Sequence, residues 1–287
     1  MRRIGRGALV ALLAAAALSG AHSQSLRPTP ISQPATTFGP FSGVARQGTL
    51  LLGTAPAGTT QLTLDGAPIE MARDGRFLIA FDRDAGPHAA LVATLADGRS
   101  VTKDFDVAPG EWRLERLDRV ARTPVPDAEF EHRRPPELEQ IKAARMLRSD
   151  ADGWRQRFIW PVTGRISGLF GAQRIYRGEP GAYHGGVDIA KPTGSPVVAP
   201  ADGVVILAAP SPFTLEGNLL MIDHGMGLNS AFLHLSQIEV RVGDHVQQGQ
   251  EIGRVGATGR ASGPHLHWAM MWQGRRIDPM RVAGAMN

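Results

Sequence analysis

Short apolar runs, separated by Gly, Pro and Asp-Gly pairs, set the rhythm of this chain. Gly48-Thr49-Leu50-Leu51-Leu52-Gly53 is one such run, residues 60–64 alternate, and Arg76–Phe81 and residues 89–95 are again apolar. Asp65-Gly66, Asp74-Gly75 and Asp97-Gly98 fall between or just after them. Asp-Gly favours the tight turns that join antiparallel strands. Strands this short at this spacing predict a small β-sandwich over residues 41–108. No catalytic constellation falls in it, so it is assigned to positioning or binding.

The pattern then changes. Residues 109–152 read as a charged linker with one helix at 137–148. Pro136 suits a first turn, Glu137 and Glu139 lie near the positive end of the helix, and Arg145 and Arg148 lie near the negative end. Leu138, Ile141 and Leu147 would form a loose apolar stripe packing on one of the domains, with a regulatory or groove-side role as the sharper alternative. From residue 153 onward strand signals return at 204–208, 219–223, 229–235, 251–255, His265–Trp272 and Arg275–Ile277. The fold class expected is mainly β: a small N-terminal sandwich, a linker helix and a C-terminal antiparallel sheet.

The start of the chain changes the compartment. Arg2, Arg3 and Arg6 precede an apolar run over residues 8–18 and small residues through Ser23. A basic start, a short apolar stretch and small residues describe a secretory signal over residues 1–23, and the run is too short to span a bilayer comfortably. Residues 24–40, rich in Pro, Ser and Thr, read as a flexible leader. The expected location is periplasmic or secreted, with no transmembrane segment after signal cleavage. The 287 residues contain no cysteine, which excludes disulfides and a lipid-modified cysteine. The net charge of +4 and pI near 10.1 do not point to nucleic acid, because three arginines belong to the signal and the rest are scattered. They suit an anionic envelope surface.

Candidate chemistry is concentrated in two segments. Gly263-Pro264-His265-Leu266-His267-Trp268 places two histidines two residues apart. On a strand they share one face, while Leu266 and Trp268 face a core. His184-Gly185-Gly186-Val187-Asp188 reads as a loop whose two polar ends converge, since Gly-Gly is a poor helix interior. Imidazoles with a carboxylate suit zinc, and a catalytic zinc keeps three protein ligands and an open position. His224 and His245 sit in Gly-flanked turns and are read as structural and solvated.

These segments, with Phe232-Leu233-His234-Leu235-Ser236 between them, resemble in order the motifs of the LytM/lysostaphin-like zinc endopeptidases. Ala199-Pro200-Ala201-Asp202-Gly203 and Gly253-Arg254-Val255-Gly256-Ala257-Thr258-Gly259 are similar to that family's glycine-rich turns. The resemblance covers roughly residues 155–287 and implies a LytM-type metallopeptidase domain over 153–287. It implies that His184, Asp188 and His267 bind one Zn2+ and that His234 and His265 are catalytic, acting on a zinc-held water. The implied substrate is the stem or cross-bridge peptide of bacterial peptidoglycan, and the implied activity is DD-endopeptidase-like. The glycine turns at 168–171 and 256–259 are expected to let an extended peptide come close. Two other readings stand beside this one: a non-catalytic LytM-type module that activates a cell-wall amidase, and an envelope scaffold stabilised by zinc. The sequence names no regulatory partner.

Overall fold

The computed structural model describes residues 36–116, 126–209 and 211–286. The expected secretory signal, and the leader as far as residue 35, lie outside the described residues. Six strands form the N-terminal layers: β1 (Thr49–Thr54), β2 (Thr59–Leu64), β3 (Ala67–Ile69), β4 (Arg76–Phe81), β5 (His88–Leu95) and β6 (Ser100–Asp106). Strand β1 pairs with β4, and the second sheet has the order β3-β2-β5-β6. Strand β5 alternates buried and half-buried positions along most of its length. Leu51, Phe77 and Ile79 of one sheet and Leu62, Leu64, Leu91 and Ala93 of the other are no more than 2% exposed and share one core. Asp65 and Gly66 both have positive φ, at 53° and 78°, the two-residue hairpin geometry that Asp-Gly supplies.

Two elements follow in the linker, β7 (Leu114–Arg116) and α1 (Asp127–Met146). The helix begins at Asp127, not at Glu137 as expected, and it contains Pro135 and Pro136. Two adjacent prolines lack the N–H groups that would bond back one turn, so the pair reads as a helix start in sequence. Tertiary bonds hold the interrupted turn. Arg134 grips Glu216 through both terminal nitrogens at 2.6 and 2.8 Å. Arg133 donates to the Pro212 carbonyl at 3.2 Å, and Glu137 accepts from the Thr214 N–H at 2.7 Å. The apolar stripe is also corrected. Ile141 and Ala144 are buried, whereas Leu138 and Leu147 are about half exposed.

The C-terminal region is built from β8 (Arg165–Gly168), β9 (Gln173–Tyr176), β10 (Glu179–Tyr183), β11 (Val187–Ala190), β12 (Pro196–Val198), β13 (Gly203–Ala208), β14 (Asn218–Asp223), β15 (Leu228–Leu235), β16 (Gln237–Ile238), β17 (His245–Val246), β18 (Glu251–Arg254), β19 (His265–Trp272) and β20 (Arg275–Ile277), closed by α2 (Pro279–Ala283). The main sheet has the order β17-β13-β14-β15-β19-β11-β8, with β20 added to β19. One face of it buries Leu266, Trp268, Phe232 and Ile189 in the core. On the opposite face, Ile141 and Ala144 of α1 cover Ile206, Leu207, Leu219, Met221 and Ala231. Smaller sheets flank this one, β12-β18-β16 and β10-β9-β7, and β7 runs parallel to β9. The linker is therefore part of the structure around the sheet. No helix among the described residues is long and apolar enough to cross a membrane.

Candidate active site

Strand register brings the predicted residues together. Asp188 lies opposite His267, and Ala190 lies opposite His265. Residues directly opposite one another in an antiparallel pair share a face. Asp188, His265 and His267 therefore emerge on the side of the sheet away from the Trp268 core. The expectation that Asp188 sits in a loop is corrected: it is the second residue of β11, and only His184 stands in the turn before the strand. Its placement follows from alternation, because Val187 and Ile189 are fully buried on the other face.

His184 Nε2, Asp188 Oδ1 and His267 Nδ1 form a nearly equilateral triangle with edges of 2.8–2.9 Å. His184 Nδ1 lies 3.0 Å from the Leu169 carbonyl. A carbonyl can only accept, so Nδ1 carries a proton toward Leu169 and Nε2 faces the other two side chains. Two imidazole nitrogens and a carboxylate oxygen, all aimed at one point, form a donor set suited to a divalent transition metal. The edges are short enough for one ion to reach all three at zinc's usual bond lengths of about 2.1 Å. Burial opposes the charge on Asp188, but hydrogen bonds to His184 and His267 outweigh it and hold the carboxyl well below the usual carboxylate range. Burial also brings His267 down to about 4 against the pull of Asp188, so the ring is neutral at ordinary pH.

Glycine permits this crowding. A Cβ on Gly168 would lie 2.3 Å from Asp188 Oδ2, and one on Gly186 would lie 2.3 Å from the Trp268 carbonyl and 2.7 Å from His267 Nε2. The glycine turns thus serve internal packing. A Cβ on Gly171 would strike the Trp112 ring, and one on Gly259 would strike the Gly217 backbone.

His234 reaches the same face by a different device. Leu233 pairs with His267 and so lies on the site face. Strict alternation would send His234 to the core. Instead His234 has φ +64°, and the β14–β15 register shifts between Asn218 and Leu220. This is a bulge, one extra residue that re-aims a side chain. The ring comes within 4.8 Å of His265, centroid to centroid. Nδ1 of His234 donates to the Thr258 carbonyl and Nδ1 of His265 to the Gly263 carbonyl, both at 2.8 Å, which leaves Nε2 of each ring clear of those backbone bonds. His265 Nε2 stands 3.7 Å from Asp188 Oδ1. Burial, followed by the neighbouring His267 and His265, lowers His234 to about 3, which keeps it unprotonated.

Four of these five side chains border a groove, while His184 is buried. His234, His265, His267 and Asp188 line a cavity of about 630 Å³ whose other wall is made by β7 and α1. The remaining histidines stay outside it. His224 is fully buried, with Nδ1 donating to the Asp202 carbonyl at 2.8 Å and Nε2 2.9 Å from the Ser230 hydroxyl. His88, His132 and His245 are exposed, and His22 lies outside the described residues. Sequence reasoning missed the arginines of the groove. Arg174, on the β9–β10 hairpin, has Nη2 3.9 Å from Asp188 Oδ2. That hairpin turns at Arg177-Gly178, both at positive φ, without the Asn-Gly or Asp-Gly pair that would have announced it.

Residues 182–279 match the model of peptidase family M23. This segment is a peptidase M23 domain. A crystal structure of a Pseudomonas aeruginosa protein assigned to peptidase M23 superposes with a TM-score of 0.66 at 27% identity, over 85% of this chain and 97% of that one. The peptidoglycan DD-endopeptidase ShyA of Vibrio cholerae is 39% identical over 128 residues, 44% of this chain and 29% of its own. The DD-carboxypeptidase/endopeptidase Mpg of Neisseria meningitidis is 40% identical over 126 residues, 42% of this chain and 28% of its own. The chain thus spans under a third of the length of these curated relatives.

Proposed function

We propose that this M23 protein is an exported zinc metalloendopeptidase that hydrolyses peptide cross-links of bacterial peptidoglycan in the cell envelope. The observation that carries the reading is the convergence of His184 Nε2, Asp188 Oδ1 and His267 Nδ1 in a groove that also presents His234 and His265. In this reading His184, Asp188 and His267 hold one zinc. When bound, the ion supplies Lewis acidity toward a scissile carbonyl and makes a water easier to deprotonate. His234 and His265 do the proton work through their free Nε2 atoms: one accepts the water's proton, and the other stabilises the developing oxyanion or protonates the leaving amine. Their Nδ1–H bonds to Thr258 and Gly263 fix the ring planes and the tautomer that this chemistry needs. A closed structural zinc site would have four protein ligands, whereas this triangle has three and opens onto the groove.

The test is digestion of purified sacculi, with the released fragments identified by mass. The expected products have a new amine and a new carboxylate at a peptide cross-link. A chelator abolishes their release and added zinc restores it. Fragments cut only in the glycan, or an unchanged sacculus in the presence of zinc, would contradict the proposal.

A further inference from the structure

The groove wall contributed by the linker is charged. Among the described residues, Arg134 is committed to Glu216 and Glu137, and Arg174 stands between Glu115 at 3.7 Å and Asp188 at 3.9 Å. Two further arginines that line the same cavity, Arg145 of α1 and Arg276 of β20, form no ion pair with a carboxylate among the described residues, Arg276 hydrogen-bonding only the Tyr183 hydroxyl in addition to its backbone contacts. Arg145 Nε is buried and makes no hydrogen bond. Burial and the nearby Arg276 together push its guanidinium down to about 10. Arg276 is held by its backbone, whose N–H donates to Asp82 Oδ2 at 2.7 Å, and its guanidinium lies over the Tyr183 ring at 5.2 Å. It passes beside Gly185, next to the metal-facing His184.

Leaving a partly buried guanidinium without a countercharge is costly, and placing a second one near it costs more. A fold retains such a pair without loss where an anion completes it, and the planar fork of Arg matches a carboxylate in two-point fashion. We propose that Arg145 and Arg276 form a carboxylate-binding subsite of the groove, so that the peptide accepted there is an acidic one, held by a free carboxylate near the bond that is cut. This rests on the endopeptidase reading above and adds the class of substrate. The helix α1 carries half of the subsite, so the linker belongs to the substrate groove.

The test uses the full mature chain loaded with zinc and two probes, a cross-linked stem peptide with free carboxylates and the same peptide with those carboxylates converted to amides. Wild type is expected to prefer the free acid. Arg145→Gln and Arg276→Gln are each expected to raise KM for the acid by about tenfold or more, the scale of one lost charge-assisted bond, and to narrow the preference between the two peptides. Arg145→Lys retains part of that preference. Thermal melting serves as the control: removal of an unpaired buried charge leaves the Arg145→Gln melting temperature at or above that of wild type. A wild type that cuts acid and amide equally well, or variants that keep the full preference, would overturn the subsite and leave the endopeptidase reading intact. Lower melting with equal loss on both peptides would make Arg145 a structural residue and overturn it as well. A zinc-loaded wild type that cuts neither peptide would sink the endopeptidase reading, and the subsite with it.

Discussion

At φ +64°, His234 breaks the alternation of β15, and the break turns onto the site face a ring that the strand pattern would send to the core. A β-pattern read from sequence cannot foresee this, because a bulge changes which face a residue takes without changing its identity. His265 and His267 were legible for the opposite reason: they obey the period of two, with Leu266 and Trp268 filling the other face. Asp188 follows the same rule once β11 is recognised, but four residues with Gly-Gly before them are too few to announce a strand. His224 shows how a histidine can be buried for structural reasons. Fully enclosed, with Phe158 edge-on at 4.9 Å, it is lowered by burial to about 4. Its folded pKa lies below the unfolded value near 6.5, so the unfolded chain binds the extra proton. Stability should therefore fall as pH drops from about 6.5 to about 4, by about 1.4 kcal/mol per pH unit for this one group. His224→Gln keeps a donor and an acceptor and should flatten the stability–pH curve, measured by urea unfolding of the metal-free chain, by about one proton in that window. An unchanged slope would mean that His224 is protonated in the folded state.

The strands of the main sheet lay close to where the apolar runs put them, since β13, β14, β15, β19 and β20 each have a buried face of four or more consecutive or alternating residues, or a turn that fixes the end. Strands β8 to β12 were missed because they are short, and β9 and β10 are mixed in character with few buried positions. The helix was misread at its start because its first turns depend on bonds to distant residues. Glu137, 6% exposed, is the centre of that anchorage. It takes the Thr214 N–H and hydroxyl and also pairs with Arg134 at 3.2 Å. Glu137→Ala should cost about 3 kcal/mol, because it leaves the Thr214 donors and part of Arg134 without partners. Denaturant unfolding measures it, and a loss below about 1 kcal/mol would show that α1 is held by Ile141 and Ala144 alone. The same variant should weaken cleavage, since α1 forms a wall of the groove.

Across the described residues, the N-terminal sheets and the C-terminal region share one hydrophobic core. Polar contacts tie the two at the groove rim. Asp82 receives the Arg276 N–H at 2.7 Å and the Tyr183 hydroxyl at 3.2 Å, and Arg83 donates to the Gly171 carbonyl at 2.8 Å. Asp74 meets Arg155 at 2.7 Å on another side. Calorimetry of the mature chain should accordingly show one cooperative transition. Two separated transitions would mean that the N-terminal layers fold independently of the site. The proposed chemistry turns on the division of labour between two histidines of one strand, two residues apart. Its most direct test is zinc content and turnover measured together on purified His265→Ala and His267→Ala. The expected result is that His265→Ala keeps close to one zinc per chain and loses about 100-fold or more in kcat, whereas His267→Ala loses the metal. Zinc lost from His265→Ala, or fully retained in His267→Ala, would contradict the assignment of the site.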